Sequence, residues 1–294
     1  MIVTFGSINA DLIFAVEDMP QPGQTLLAKQ FRTEAGGKGA NQAIAASRDG
    51  ATVVMVGAVA KDALADIAMQ NLTHSVDVSR IAHVTEPTGC ASILIDGQGR
   101  NMIAVAAGAN LVACSDMVDD GLICKATAVL MQMENDTAQI ERLIRRVKHL
   151  GGRSILNLAP AFPLDRKSLS SCDLIVVNED EAEALAGWMA CEPSAQDLSR
   201  CLNTGVLRTL GGDGAEAFAD GEKISVAAVP VEVNDTTAAG DCFVGVLASA
   251  LDRGFSLKAA VGRAVTAAGI SCSRRGSQSS IPFAAETDQW LLQA

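Results

Sequence analysis

The chain has 294 residues, of which 49% are hydrophobic and 19% charged, with a formal net charge of −11. That size and polarity support one large domain, or one and a half, with a sizeable core, and they exclude a disordered chain. An acidic protein repels phosphate backbones, so neither nucleic acid nor an anionic membrane is expected as a partner.

Residues 2–5 are a β-prone run stopped by Gly6, without the basic and apolar regions of a secretion signal. Asn9, Ala10 and Asp11 follow just past its carboxyl end, where open α/β sheets bind ligands. Asn9 and Asp11 offer a donor and acceptors suited to sugar hydroxyls, although a turn using both side chains for its own backbone bonds explains them equally well. Residues 12–34 mix apolar positions with Pro20, Pro22 and Gly23 and show no amphipathic helical face, which predicts short strands. Residues 91–95, a turn at Asp96-Gly97-Gln98-Gly99 and residues 102–105 predict a hairpin.

Gly36-Gly37-Lys38-Gly39-Ala40-Asn41 precedes an alanine-rich helical stretch to Ser47. Glycines ahead of a helix let a polar ligand approach the backbone closely. The run is not a P-loop: Gly39, rather than Ser or Thr, follows Lys38, and no glycine sits at the required upstream spacing.

Continuous apolar runs at 52–57, 128–132, 154–158 and 173–177 predict strands buried on both faces of a parallel sheet. Helical patterns lie between them, as at 137–150, which carries Arg and Lys toward its end. This alternation predicts an α/β core with right-handed crossovers. Polar residues end several strands: Glu134, Asn157, and Asn178 with Glu181. Their convergence on one sheet edge would make an active site in such an architecture, though singly each is an ordinary loop residue. Residues 206–210, the cluster Gly211-Gly212-Asp213-Gly214 and residues 215–218 read as strand, turn and strand.

The segment Asn234-Asp235-Thr236-Thr237-Ala238-Ala239-Gly240-Asp241 leads into an apolar run over 242–251. Gly240 allows close backbone approach, and Asp241 falls in the first turn of a predicted helix. Free N–H groups and the positive helix end at such a turn form an anion site. A carboxylate there can accept a proton from a hydroxyl while the N–H groups hold developing negative charge, which is the pairing that phosphoryl transfer to an alcohol requires. A plain N-capped core helix would account for the same residues. A small-residue helix over 257–270 and a polar loop over 271–280 follow. The arginine pair in that loop, Arg274-Arg275, is of a kind usually found on solvated surface.

Eight cysteines show no C-x-x-C pair and no zinc spacing, which suits small core residues in a reducing cytosol. Three scattered histidines form no metal or triad pattern, and no run is long enough for a membrane span. A cytoplasmic protein is expected.

Taken in order, Gly6-Ser7-Ile8-Asn9-Ala10-Asp11, Gly36-Gly37-Lys38-Gly39-Ala40-Asn41-Gln42-Ala43, Gly108-Ala109-Asn110, Met131-Gln132-Met133-Glu134, Asn178-Glu179-Asp180-Glu181, Thr209-Leu210-Gly211-Gly212 and the 234–241 segment span nearly the whole chain. Together they resemble the motifs of the ribokinase-like (PfkB) carbohydrate kinases. The resemblance implies a three-layer α/β sandwich with a mostly parallel central sheet, as a single domain over 1–294. A small β-sheet lid would be formed by insertions at about 12–34 and 88–107.

The activity implied is ATP-dependent phosphorylation of a terminal hydroxyl of a small sugar, D-ribose at O5. Asp241 would take the hydroxyl proton, and the N–H groups of Ala238, Ala239 and Gly240 would stabilise the transferring group. Asn9, Asp11, Gly37, Lys38, Asn41, Glu134 and Asp235 would fix the sugar. Thr209, Gly211 and Gly214 would contact the nucleotide, while Asn178 and Glu181 would order its phosphates and the water shell of Mg²⁺. Backbone oxygens of Thr237, Ser271, Arg274 and Gly276, with the side chains of Asp235 and Ser280, would enclose a monovalent cation such as K⁺. Asp213 departs from the family, where that position is commonly non-acidic, and a carboxylate near a polyphosphate would repel it. The family also implies a homodimer whose lids clasp each other.

Two other readings share the motifs. A nucleoside kinase, or another pentose or hexose kinase, would use the same 235–241 chemistry, but aromatic residues at 3% leave little for a base slot. A sugar or nucleotide sensor without catalysis is opposed by the presence of Lys38, Asn41, Asp235 and Asp241.

Overall fold

The computed structural model describes residues 1–292. Its first strands are β1 (Ile2–Phe5), β2 (Asn9–Ala15), β3 (Gln30–Gly36), β4 (Val53–Val59) and β5 (Asp77–His83). They are followed by β6 (Gly89–Ile95), β7 (Asn101–Ala106), β8 (Ala128–Met131) and β9 (Ser154–Asn157). The last are β10 (Leu174–Val177), β11 (Gly205–Thr209), β12 (Ala215–Ala219) and β13 (Glu222–Val226).

Nine strands form the main sheet in the order β13-β12-β11-β10-β9-β8-β1-β4-β5. From β5 to β11 every pairing is parallel, and only β12 and β13 pair antiparallel at one edge. The apolar runs are continuous because both faces are covered. Ile2, Met55, Leu130, Ile155 and Val176 point into one apolar cluster; Val3, Val54, Val129, Leu156 and Ile175 point into the other. Helices Lys38–Arg48, Ala239–Asp252 and Leu257–Cys272 cover the first face, and helix Thr137–His149 lies on the second through Ile140, Leu143, Ile144 and Val147. The result is the expected three-layer sandwich.

The small sheet has the order β3-β2-β6-β7 and is built from residues 9–15, 30–36, 89–95 and 101–106. Its strands begin earlier than expected. Asn9 and Asp11 do not lie in a loop past β1; they belong to β2, pairing with Gly36 and Glu34 of β3 and with Gly89 and Ala91 of β6. After the break at Gly6 the backbone is extended again, and the new partners convert a predicted turn into lid strand. A second difference concerns Ser271. Helix Leu257–Cys272 runs two residues further than expected, so Ser271 sits in its last turn rather than in the polar loop.

Two close approaches lock the site side of this architecture. Gly37, at φ 90°, caps helix Lys38–Arg48 and is the turn that needs a left-handed backbone. A Cβ on Gly39 would stand 2.6 Å from backbone atoms of Gly6 and Ser7, so the helix start lies directly on the end of β1. Further along, a Cβ on Gly245 would meet the Gln42 carbonyl at 2.4 Å, which shows how tightly helix Ala239–Asp252 crosses helix Lys38–Arg48. Gly39→Ala forces the helix off the strand. It is expected to lower stability by about 1–3 kcal/mol, read from urea unfolding, and to reduce turnover as the helix start moves.

Candidate active site

Helix Ala239–Asp252 begins at Ala238, which takes left-handed dihedrals (φ 57°, ψ 12°), unusual for a residue with a Cβ. Asp241 follows in the first turn and is buried. Both of its oxygens accept hydrogen bonds: Asn41 Nδ2 donates to Oδ2 at 3.0 Å and Gln42 Nε2 to Oδ1 at 2.9 Å. The Ala239 N–H donates to Thr236 O at 3.2 Å and so closes the turn. Of the three amides expected to face the reacting group, that one is committed to the protein in this conformation.

The residues expected to hold a sugar gather on the lid side. Asn9 is held by Asn110, whose Nδ2 donates to Asn9 Oδ1 at 2.7 Å while its own Oδ1 accepts from the Ile8 N–H at 2.9 Å. Asp11 lies across Gly36, where a Cβ would come within 2.2 Å of its carboxylate. Gly89 leaves comparable room for Asn9 and Asn110. Glu134 Oε2 accepts from Ser7 Oγ at 2.6 Å and from the Lys38 N–H at 3.2 Å. Asn41 uses its carbonyl to accept from Gln278 Nε2 at 3.0 Å. The sequence reading missed Ser7, Gln42, Gln278 and, as a holder of Asn9, Asn110. Ser7, Gln42 and Asn110 stand inside the matched motifs, but nothing local marks what each side chain does, since every one of the four acts across more than thirty residues of chain.

Thr209, Gly211 and Gly214 line a cavity of about 400 Å³ together with Ala239 and Gly240 at the helix start. Its remaining walls include Val229, Val231, Phe243, Val265 and Ala268, an apolar slot that reaches the start of helix Ala239–Asp252. Asp213 is exposed and not part of this lining, so the carboxylate that departs from the family pattern points elsewhere. Asn178 and Glu181 cap helix Glu179–Met189 reciprocally: the Glu181 N–H donates to Asn178 Oδ1 and the Asn178 N–H to Glu181 Oε2, both at 2.8 Å.

The candidate cation ligands also converge. Asp235 Oδ1 accepts from the Thr237 N–H (2.9 Å) and hydroxyl (2.6 Å), and Oδ2 accepts from the Gly276 N–H (3.0 Å). Burial pushes the Asp235 carboxyl up, but these bonds outweigh it and hold it below the usual range. Ser280 Oγ lies 2.7 Å from Ser271 Oγ, and the Ser271 carbonyl accepts from the Arg274 N–H at 3.0 Å. The donor set is oxygen throughout, which suits a hard cation, so the residues fit one.

Charge binds the two halves of the site. The Lys38 ammonium is held above its ordinary pKa first by the charge of Asp241, then, against the pull of burial, by Glu134 and Glu181. Burial raises Glu181, with the Asn178 N–H and Lys38 opposing. Burial, together with the charges of Glu134, Glu34 and Asp241, lifts Asp11 to about 7. The folded protein therefore holds this proton more tightly than the unfolded chain does. The stability so gained is complete below pH ~4 and is lost as pH rises through about 7, up to about 4 kcal/mol. Asp11→Asn is expected to flatten the decline in melting temperature of the sugar-free protein between pH 4 and 8; an unchanged slope would assign the decline to other groups.

The chain matches the pfkB family carbohydrate kinase over residues 1–284. It is similar to the ribokinase of Haemophilus influenzae, at 36% identity with 100% of this chain and 99% of that protein covered. It is also similar to the deoxyribokinase of Salmonella typhi, at 31% identity over 99% and 98% of the two chains. Among solved structures it resembles the ribokinase of Arabidopsis thaliana complexed with ribose and ATP, with TM-score 0.89 and 30% identity, covering 99% of this chain and 98% of that one. The chain thus belongs to the pfkB family of carbohydrate kinases, enzymes that transfer a phosphoryl group from ATP to a sugar hydroxyl.

Proposed function

We propose that this kinase phosphorylates D-ribose at its O5 hydroxyl, with ATP as donor. The observation that carries this reading is the position of Asp241. Its buried carboxylate is bonded to Asn41 on the sugar side, and it lies in the same helix turn as Gly240, which lines the apolar cavity. In the proposed reaction the sugar lies under the lid, its hydroxyls bonded by Asn9, Asp11, Lys38, Asn41, Glu134 and Asp235, with Gly37 leaving room for it. The adenine occupies the slot over Thr209, Gly211 and Gly214. Asp241 accepts the O5 proton as that oxygen bonds to the γ-phosphorus and the bond from phosphorus to the β,γ-bridging oxygen breaks, ADP leaving with that oxygen; the N–H groups of Ala238 and Gly240, joined by that of Ala239 once it leaves Thr236 O, receive the charge on the phosphoryl oxygens. Positioning supplies much of the rate in such chemistry, and lid closure excludes water as a competing acceptor.

Asn178 and Glu181 would hold the water shell of Mg²⁺, which when bound neutralises phosphate charge. Asp235 and Ser280, with the carbonyls of Thr237, Ser271, Arg274 and Gly276, would hold K⁺ and so firm the anion-binding turn. Small molecules, not nucleic acid or membrane, are the partners of so acidic a chain, and eight free thiols suit the cytoplasm. No helix among the described residues is long and apolar enough to cross a membrane.

Deoxyribose is the second reading, favoured by the similarity to a deoxyribokinase. Ribose, deoxyribose, fructose, adenosine and inosine assayed with ATP, with and without K⁺, separate these cases. Ribose is expected to give the highest kcat/KM, and preferential turnover of another member would replace it. Asp241→Asn is expected to lose roughly a hundredfold or more in kcat while keeping sugar affinity. Near-wild-type turnover in that variant removes Asp241 from the role of base.

The lid also supports a homodimer. All six residues of β7 are exposed, among them Met102, Ile103 and Val105, and Phe31 of β3 is exposed as well. An apolar edge of this kind invites pairing. Light scattering at micromolar concentration is expected to give twice the chain mass for the native protein and the single-chain mass for Ile103→Glu.

A further inference from the structure

The bonds around Asp241 continue inward, away from any substrate. Gln42 is fully buried. Its Nε2 donates both to Asp241 Oδ1 and to Asn157 Oδ1, each at 2.9 Å, and its Oε1 accepts from Gln132 Nε2 at 2.7 Å. Asn157 in turn donates from Nδ2 to the Val176 carbonyl at 3.3 Å. A backbone carbonyl can only accept, so the Asn157 amide group has one satisfied orientation and presents its oxygen to Gln42. Gln42 must meet that oxygen with its NH₂, and the same NH₂ then reaches the carboxylate. Reversing the Gln42 amide would set its carbonyl against two acceptors at once. Gln132 spends its NH₂ on this arrangement even though its own buried Oε1 finds no partner. Such an unmatched group is costly, and it is the kind of cost that functional sites carry.

We infer that Gln42 is a positioning residue for catalysis. Through an amide orientation fixed by Val176, Asn157 and Gln132, it keeps the Asp241 carboxylate aimed at the sugar hydroxyl. The inference rests on the reading of Asp241 as the base. Gln42 spends both groups of its amide on protein partners, so it acts on the carboxylate and not on the sugar. Asn41 supports the other carboxylate oxygen, but it lies at the sugar site and is expected to respond to what binds there. Gln42 lies behind Asp241, and the crossing at Gly245 holds it there, since the Gln42 carbonyl occupies the space a side chain at 245 would need.

The test is kinetic. In Gln42→Leu the carboxylate keeps one donor instead of two, so kcat is expected to fall about tenfold while KM for the sugar stays within about twofold. Losing a donor favours the protonated form of a carboxylate, so the acid limb of the kcat profile is expected to move to higher pH. Gln132→Met does not touch Asp241 and is expected to show the same two changes at smaller size, which a loss of general packing would not produce. Wild-type kcat and an unmoved acid limb in folded Gln42→Leu overturn the inference, as does a rise in KM alone. Should Gln42→Leu fail to fold, wild-type kcat and pH profile in Gln132→Met overturn it instead. Asp241→Asn, run alongside, keeps the two questions apart. Activity in that variant sinks the base assignment; inactivity there combined with an unaffected Gln42→Leu sinks only the role of Gln42.

Discussion

The site depends on one packing constraint, the close crossing of helix Lys38–Arg48 over helix Ala239–Asp252. Residues 200 and 199 positions apart, Asn41 and Gln42 against Asp241, come within hydrogen-bond distance because Gly245 has no side chain to hold the helices apart. The partner helix is fixed in turn by Gly39 lying on Gly6 at the end of β1. Strand, first helix and catalytic helix thus form one rigid chain of contacts, and the interior is too densely packed to let any of them drift alone. Asn41, Gln42 and Asp241 inherit their positions from these contacts.

Rigidity is needed because the electrostatics are unfavourable until the substrate arrives. Asp241, Glu134 and Glu181 act on a single ammonium, that of Lys38, while burial and the charges of Glu134, Glu34 and Asp241 bear on Asp11, and the cost shows in the proton Asp11 retains up to about pH 7. Sugar hydroxyls are donors. In the proposed complex they supply what the surplus of acceptors lacks, so part of the recognition energy is stored as mutual repulsion in the empty site. The same surplus disfavours an anionic ligand beside these carboxylates, and in the proposed complex the phosphates fall to the amide turn at 238–240.

Much of this fold is legible in the sequence because its signals are local. The runs at 53–59, 128–131 and 174–177 are apolar at every position, which only double burial explains. The lid hairpin announces itself by Asp96-Gly97-Gln98-Gly99 between β-prone segments, and helix Thr137–His149 by its periodicity and basic end. Asp241 and its turn are visible for the same reason. The misplacements have physical causes. Asn9 and Asp11 look like loop residues until β3 and β6 pair with them, because strand pairing is a property of the partner as much as of the segment. Ser271 reads as loop because serines cluster after it, but the carbonyls of Gly269 and Ile270 still accept from the Ser273 N–H, and the helix runs on. Gln42, Gln132 and Asn157 all stand in motifs or at strand ends that the sequence displays, but their bonding to one another is not legible there. Their importance lies in amides meeting across three separate segments, which no spacing encodes.

The two ends of the site are built on different supports. The carboxylate and amide turn stand on interlocked helices, whereas Asn9 and Asp11, the first residues proposed to contact the sugar, are part of β2 in the small sheet. Substitutions within the lid strands can therefore reshape what is admitted without disturbing the apparatus that moves the phosphoryl group. A scaffold divided in this way can acquire new acceptors by changing its cover alone, while the helix crossing beneath is inherited unchanged.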